Sequence, residues 1–260
     1  MPLSRQQEGE ISELLKQKIR QKLQSYSPET NNMPFHTRLL GRDRMALFSF
    51  IHSINTTLGT SVFEQVAQII ADPNFRQAIH QYKDFNNTIS RSAQRVIQEI
   101  MDELVAARST PDKSEETKKI LQVSQMGDLV KVRRPRIDLF LESFDKVEYY
   151  FDLKTAKPNI SDFRGYKRQL LEWVAIRGAQ NNTANVRTLI AIPYNPYEPE
   201  PYQRWTLQGL FDLENEIKVS EEFWNFLGGK DTYEQLLDLF ETVGIELRPE
   251  IDNRFQAFNK

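Results

Sequence analysis

Through the first hundred residues, apolar positions recur at helical spacing. In "EISELLKQKIRQKLQSY", Ile11, Leu14, Leu15, Ile19 and Leu23 fall on one face and predict an amphipathic helix. Pro28 and Pro34 interrupt this pattern in "SPETNNMPFHTRLLG", which reads as a polar loop. "RDRMALFSFIHSINTTLG" predicts a buried helix ending near Gly59, and "SVFEQVAQIIADP" another that stops before Pro73. "TISRSAQRVIQEIMDELVAAR" predicts the longest helix, with Val96, Ile100 and Leu104 toward the core. Residues 109–119, "STPDKSEETKK", are charged without periodicity and predict an exposed linker.

Beyond that point the pattern becomes that of short strands. "IDLFLES" and "VEYYFDLKTA" are rich in β-branched and aromatic residues and predict an antiparallel pair joined by "FDK". A helix follows, with Phe163, Tyr166, Leu170, Trp173, Val174 and Arg177 in one stripe and Ser161 or Asp162 as its cap. "VRTLIAIPY" predicts a buried third strand, "YNPYEPEPYQRW" an extended loop, and the tail two helices separated by Gly228 and Gly229. The sum is an α+β chain: a helical N-terminal part over 1–108, and strand–strand–helix–strand plus C-terminal helices over 120–260, expected as a single domain over 1–260.

Composition adds limits. No apolar stretch approaches the ~20 residues of a membrane span, and the polar N-terminus does not resemble a secretory signal. With no cysteine, disulfides and thiolate metal sites are excluded, which fits a cytoplasmic protein. His36, His52 and His80 lack metal-ligand spacing, and His52 reads as a core residue. A net charge of −2 gives no global attraction to nucleic acid, yet "KVRRPR" and "FRGYKRQ" are local basic clusters.

These clusters flank the most informative stretch. Alternation puts Tyr150, Asp152 and Lys154 on one strand face, opposite Val147, Tyr149, Phe151 and Leu153. In the preceding strand Asp138 and Glu142 share a face. Side by side, the strands bring Asp138, Asp152 and Lys154 together within apolar surroundings, where unpartnered charges cost several kcal/mol. A divalent cation is one natural partner. Magnesium takes one or two carboxylates together with phosphate oxygens, the Leu153 carbonyl offers a further oxygen, and Lys154 suits a water or a developing negative charge. The chemistry that wants this set is phosphodiester hydrolysis.

"PRID" with "FDLK", Asp138 with Asp152-Leu153-Lys154, resembles the PD-(D/E)XK nuclease superfamily, although Pro135 is three residues from Asp138 instead of adjacent. The longer context "YYFDLKTAKPNISDFRGYKRQLLEWVAIRG", with the late "FWNFLGG" and "TYEQLLDLFE", is similar to type II restriction endonucleases of the TdeIII-like family. This resemblance implies a restriction-endonuclease-like fold and a Mg²⁺-dependent homodimer that cuts double-stranded DNA at a short, GGNCC-like palindrome, leaving 5′-phosphate ends. It implies catalytic roles for Asp138, Asp152 and Lys154, with Asp138, Asp152 and Leu153 at the metal.

Each group has a plainer reading. Asp138 and Lys154 could form a surface ion pair. Arg134, Arg136, Lys157, Arg164, Lys167 and Arg168 are candidates for DNA phosphates, or else a solvated basic face. Glu142 is a secondary candidate, as is an upstream helix glutamate, Glu99 or Glu103. Asn195, Gln203 and Arg204 are types that read base edges. The rival functions are a structure-selective or repair nuclease with the same core and a non-catalytic DNA-binding module.

Overall fold

The computed structural model describes residues 3–27, 33–83, 86–133, 135–154, 157–158, 162–203 and 207–256. Its centre is a five-stranded mixed sheet in the order β1 (Gln77–Tyr82), β4 (Ile137–Glu142), β5 (Val147–Leu153), β6 (Asn185–Ile192), β7 (Ile217–Val219); β2 (Thr88–Ser90) and β3 (Leu129–Lys131) form a separate two-stranded ribbon. The β4–β5 pair is antiparallel, as alternation predicts. β6 lies parallel to β5, reached by a crossover through the helix α7 (Phe163–Gln180).

Helices cover both faces of this sheet. On one side Phe140, Tyr150 and Ile190 pack with α7 and with α5 (Arg91–Val105), which Ser90 caps through its side chain. On the other, Leu139, Leu141, Phe151 and Leu189 pack with α1 (Arg5–Ser25), α4 (Phe63–Ala71), α9 (Glu221–Gly228) and α10 (Thr232–Gln256). Burial on both sides explains why β4 and β5 read as apolar runs. Asp138 and Asp152 within them are therefore enclosed, not displayed on a solvated face.

Five expectations change, the first being length: α5, expected to be the longest helix, has 15 residues against 25 in α10 and 21 in α1. The expected linker over 109–119 is a helix from Lys113 onward, α6 (Lys113–Val123), capped by Asp112. Its inward face is Lys113, Glu116 and Ile120, so burial there carries little hydrophobic signal. At Gly178 an added Cβ would lie 2.7 Å from Ser124 Cβ, which is how closely α7 passes the end of α6. Part of the expected polar loop is α2 (Pro34–Leu40), entered through Pro34 in the first turn. The next helix, α3 (Arg42–Thr57), is not enclosed: Met45, Ala46 and Phe50 are buried, while Leu47, Phe48 and Ile51 face solvent and exposed His52 stacks on Phe48. The N-terminal part is also not purely helical, because it supplies β1, a mostly polar edge strand antiparallel to β4. The short α8 (Leu213–Glu216) leads into β7. Among the described residues no helix is long and apolar enough to cross a membrane.

Candidate active site

In the β4–β5 register Leu139 faces Phe151 and Phe140 faces Tyr150. One step further, the same register sets Asp138 against Asp152 at the shared end of the two strands. Both side chains are buried. Asp138 Oδ2 accepts the Leu153 amide at 2.9 Å, and its Oδ1 lies 3.2 Å from Arg136 Nε. Asp152 Oδ1 lies 2.6 Å from Lys154 Nζ, and its Oδ2 accepts from Gln169 Nε2 of α7 at 3.3 Å. The Lys154 ammonium also sits 4.5 Å above the centre of the Tyr166 ring.

Burial pushes the Asp152 carboxyl up to about 7; Lys154 pulls against this and the neighbouring Asp138 adds to it. The three residues expected from strand alternation are thus brought together, on the sheet face that α7 covers. Leu153 joins them through its amide, which orients Asp138.

An upstream glutamate does reach this end of the sheet, but it is Glu64 of α4. Glu99 and Glu103 are exposed on α5. Glu64 is buried, accepts from Gln81 Nε2 at 2.9 Å and meets Arg136 Nη2 at 3.3 Å, so Arg136 bridges Glu64 and Asp138. Burial raises the Glu64 carboxyl and Asp138 adds to this, against the pull of Gln81 and Arg136. The available sequence signal is its place in α4: Glu64 shares a helix face with Ala67 and Ala71, both buried. Glu142 lies at the far end of β4, paired with Arg76 at 3.0 Å, and takes no part.

The basic candidates separate. Lys167 does not face solvent: it is fully enclosed, with Nζ 2.6 Å from both Glu116 Oε2 and Glu216 Oε2. A position in the first turn of α7 suggested a DNA contact, yet α6 and α8 close over it. Arg164 is exposed, and Arg168 donates to Gln98 Oε1 of α5 at 2.7 Å. Lys157 lies 5.0 Å over the Tyr197 ring. Arg136 is largely exposed but directed at the two carboxylates. Arg134 and Arg204 lie outside the described residues. Asn195 uses its side chain to shape its own loop, accepting from the Tyr197 amide and donating to the Glu200 carbonyl.

Beside Lys154, a cavity of about 280 Å³ runs between the loop after β6 and a π turn, Leu58–Val62, that follows α3. Leu58, Gly59, Leu153, Lys157 and Tyr194 are among its lining residues. Asn55, near the C-terminal end of α3, also lines it, whereas Asp138 and Asp152 do not.

The family model for HinfI, a type II restriction endonuclease, matches residues 3–244. The type II restriction enzyme HgiCII of Herpetosiphon aurantiacus is 27% identical over 236 residues, 89% of this chain and 85% of its own. HgiEI of the same organism is 26% identical over a similar span. The type II restriction enzyme MjaII of Methanocaldococcus jannaschii is 27% identical over 289 aligned positions, covering 100% of this chain and 75% of its own. The enzyme class is that implied by the motif resemblance; the matching model carries the name HinfI, where the resemblance was to the TdeIII-like group.

Proposed function

The chain belongs to the HinfI family of type II restriction endonucleases, and we propose that it hydrolyses both strands of double-stranded DNA at a short palindromic, GGNCC-like site with Mg²⁺, leaving 5′-phosphate ends. The observation that carries this reading is the buried Asp138/Asp152 pair with Lys154 against Asp152.

The donor set fits a magnesium ion. Three carboxylates, Asp138, Asp152 and Glu64, stand against two cations, Arg136 and Lys154; burial, with Asp138 beside it, pushes Asp152 toward neutrality. Among the described residues no three His, Asp or Glu side chains are grouped so as to hold a metal ion, so two carboxylates at most serve from the chain. A small hard cation that keeps water and substrate oxygens as ligands suits such an open pair. Asp138, Asp152 and the Leu153 carbonyl would hold it. Bound there, Mg²⁺ supplies charge neutralisation at the phosphate and a lower pKa for water.

The remaining work falls to the chain. The Leu153 amide and Gln169 hold Asp138 and Asp152 in place. The Lys154 ammonium orients the attacking water and stabilises charge building on the phosphate oxygens. A duplex presents two antiparallel strands related by two-fold symmetry, and a two-fold homodimer with one site per chain sets one site against each strand.

The test is a digest of bacteriophage DNA with wild type and Asp152→Asn, in Mg²⁺ and in EDTA. Discrete bands that need both Mg²⁺ and Asp152 are expected, with fragment ends that share one palindrome and carry 5′-phosphate. A smear would indicate a structure-selective or repair nuclease, and binding without cleavage a non-catalytic module. Sedimentation of the free protein and its Ca²⁺–DNA complex reads the dimer.

A further inference from the structure

We propose that Tyr166 is a positioning residue for the catalytic lysine: its ring is a charge-free seat that keeps the Lys154 ammonium in place when Asp152 turns to a metal ion. The inference rests on the nuclease reading of Asp138, Asp152 and Lys154.

The geometry gives Lys154 two holds of different character. One is the Asp152 carboxylate at 2.6 Å, two residues back along the chain. The other is the Tyr166 ring, 4.5 Å away on α7. The first hold is compromised by the function itself. A divalent cation drawn to Asp152 competes for the same oxygens and repels the ammonium. Held by Asp152 alone, Lys154 would swing toward solvent when it is needed.

The ring attraction does not depend on Asp152. It arises from the negative face of the aromatic quadrupole and persists whatever the carboxylate binds. The phenol stays neutral, because burial and the nearby Asp162 and Asp152 push it up to about 12. One turn further along α7, Gln169 holds Asp152 Oδ2 at 3.3 Å. One rigid helix therefore spaces the lysine from the carboxylate, and Lys167, locked between Glu116 and Glu216, ties that helix down.

Two measurements test this. Single-turnover cleavage of cognate DNA is compared for wild type, Tyr166→Leu, Tyr166→Phe and a series with increasingly fluorinated phenylalanine at position 166. Tyr166→Leu should slow cleavage by roughly 3- to 30-fold with DNA affinity in Ca²⁺ unchanged, Tyr166→Phe should recover most of that loss, and the fluorinated series should decline stepwise. A merely structural ring would leave the series flat, and a flat series overturns the proposal. So does a Tyr166→Phe variant as slow as Tyr166→Leu, since the hydroxyl would then be the active part. The second readout does not require cleavage. The ε-methylene signal of Lys154, labelled with ¹³C and assigned by its loss in Lys154→Arg, should be shifted upfield by the ring in both metal-free and Ca²⁺-loaded protein. Its return to an ordinary lysine position on Ca²⁺ addition overturns the seat whether or not the enzyme cuts. A persistent upfield shift in a protein that never cuts supports the seat and removes the nuclease reading instead.

Discussion

Lys167 Nζ lies 2.6 Å from Glu216 Oε2, and both side chains are wholly enclosed. Glu116 supplies a second carboxylate to the same ammonium, and Lys113 lies 2.9 Å from Glu216, so four buried charges of zero sum join α6, α7 and the end of α8. Removing one lysine leaves two carboxylates facing one cation without solvent. Lys167→Ala should lose about 3–5 kcal/mol of stability, seen as a fall in the urea midpoint. The slope of log DNA affinity against log salt, measured on protein that remains folded, should not change. A fully stable Lys167→Ala would show that the cluster contributes nothing.

Asp152→Asn should abolish cleavage and stabilise the metal-free protein. The carboxyl is raised from 3.8 to about 7 on folding. Between those values the unfolded chain is ionised while the folded chain still holds the proton, so the penalty grows as pH rises from about 4 and is complete above 7. The stability gap between variant and wild type should therefore widen from pH 5 to pH 8, reaching on the order of a few kcal/mol. Mg²⁺ should narrow it by stabilising the wild type alone. Melting curves across pH read the sign directly, and a gap that shrinks with rising pH would refute the assignment.

Glu148 shows the opposite case. Its carboxylate takes Arg177 Nε and Nη2 at 2.7 Å each and the Tyr150 hydroxyl at 2.6 Å, tying β5 to α7. Burial pushes this carboxyl up, but those donors outweigh it and hold it below its usual value of 4.5. The resulting stability is present above that value and disappears as pH falls through the folded one. Glu148→Gln should cost about 1.5–3 kcal/mol at pH 7, with the difference from wild type vanishing in acid. Urea titrations from pH 7 downward follow the difference as it closes.

With Lys167 buried, Arg164 is the phosphate candidate on the first turn of α7. Arg164→Ala should weaken cognate and random duplexes by similar factors and flatten the salt slope by roughly one. Fluorescence anisotropy in Ca²⁺ over a salt series measures both. An unchanged slope would move the DNA surface to residues 131–136 and 194–203.

What the sequence discloses follows from which physical signals it carries. Asp138 and Asp152-Leu153-Lys154 stand out because polar residues interrupt apolar strands, and the period of two then fixes their face. The strand–helix–strand order of β5, α7 and β6 is similarly legible, each element being long and rich in apolar residues, whereas the parallel pairing of β5 with β6 is not. α6 is hidden because part of its buried face is Lys113 and Glu116, which resemble a solvated segment. Lys167 misleads for the same reason: its neutralising glutamates lie 51 and 49 residues away, beyond any local pattern. β1 is an edge strand of mostly polar residues, and Glu64 belongs to the site only through the packing of α4 against the sheet.

The antiparallel β4–β5 hairpin has two ends, and the carboxylates occupy one. Its turn, residues 143–146, closes the other, with Phe144 exposed and Val147 N donating to Ser143 Oγ. At about 3.3 Å per residue, four or five strand residues separate the turn from Asp138 and Asp152 by roughly 15 Å. Because the chain contains no cysteine, Phe144→Cys would introduce a single thiol there. A fluorophore or surface tether coupled to it would report on, or immobilise, the protein from the side opposite its carboxylates.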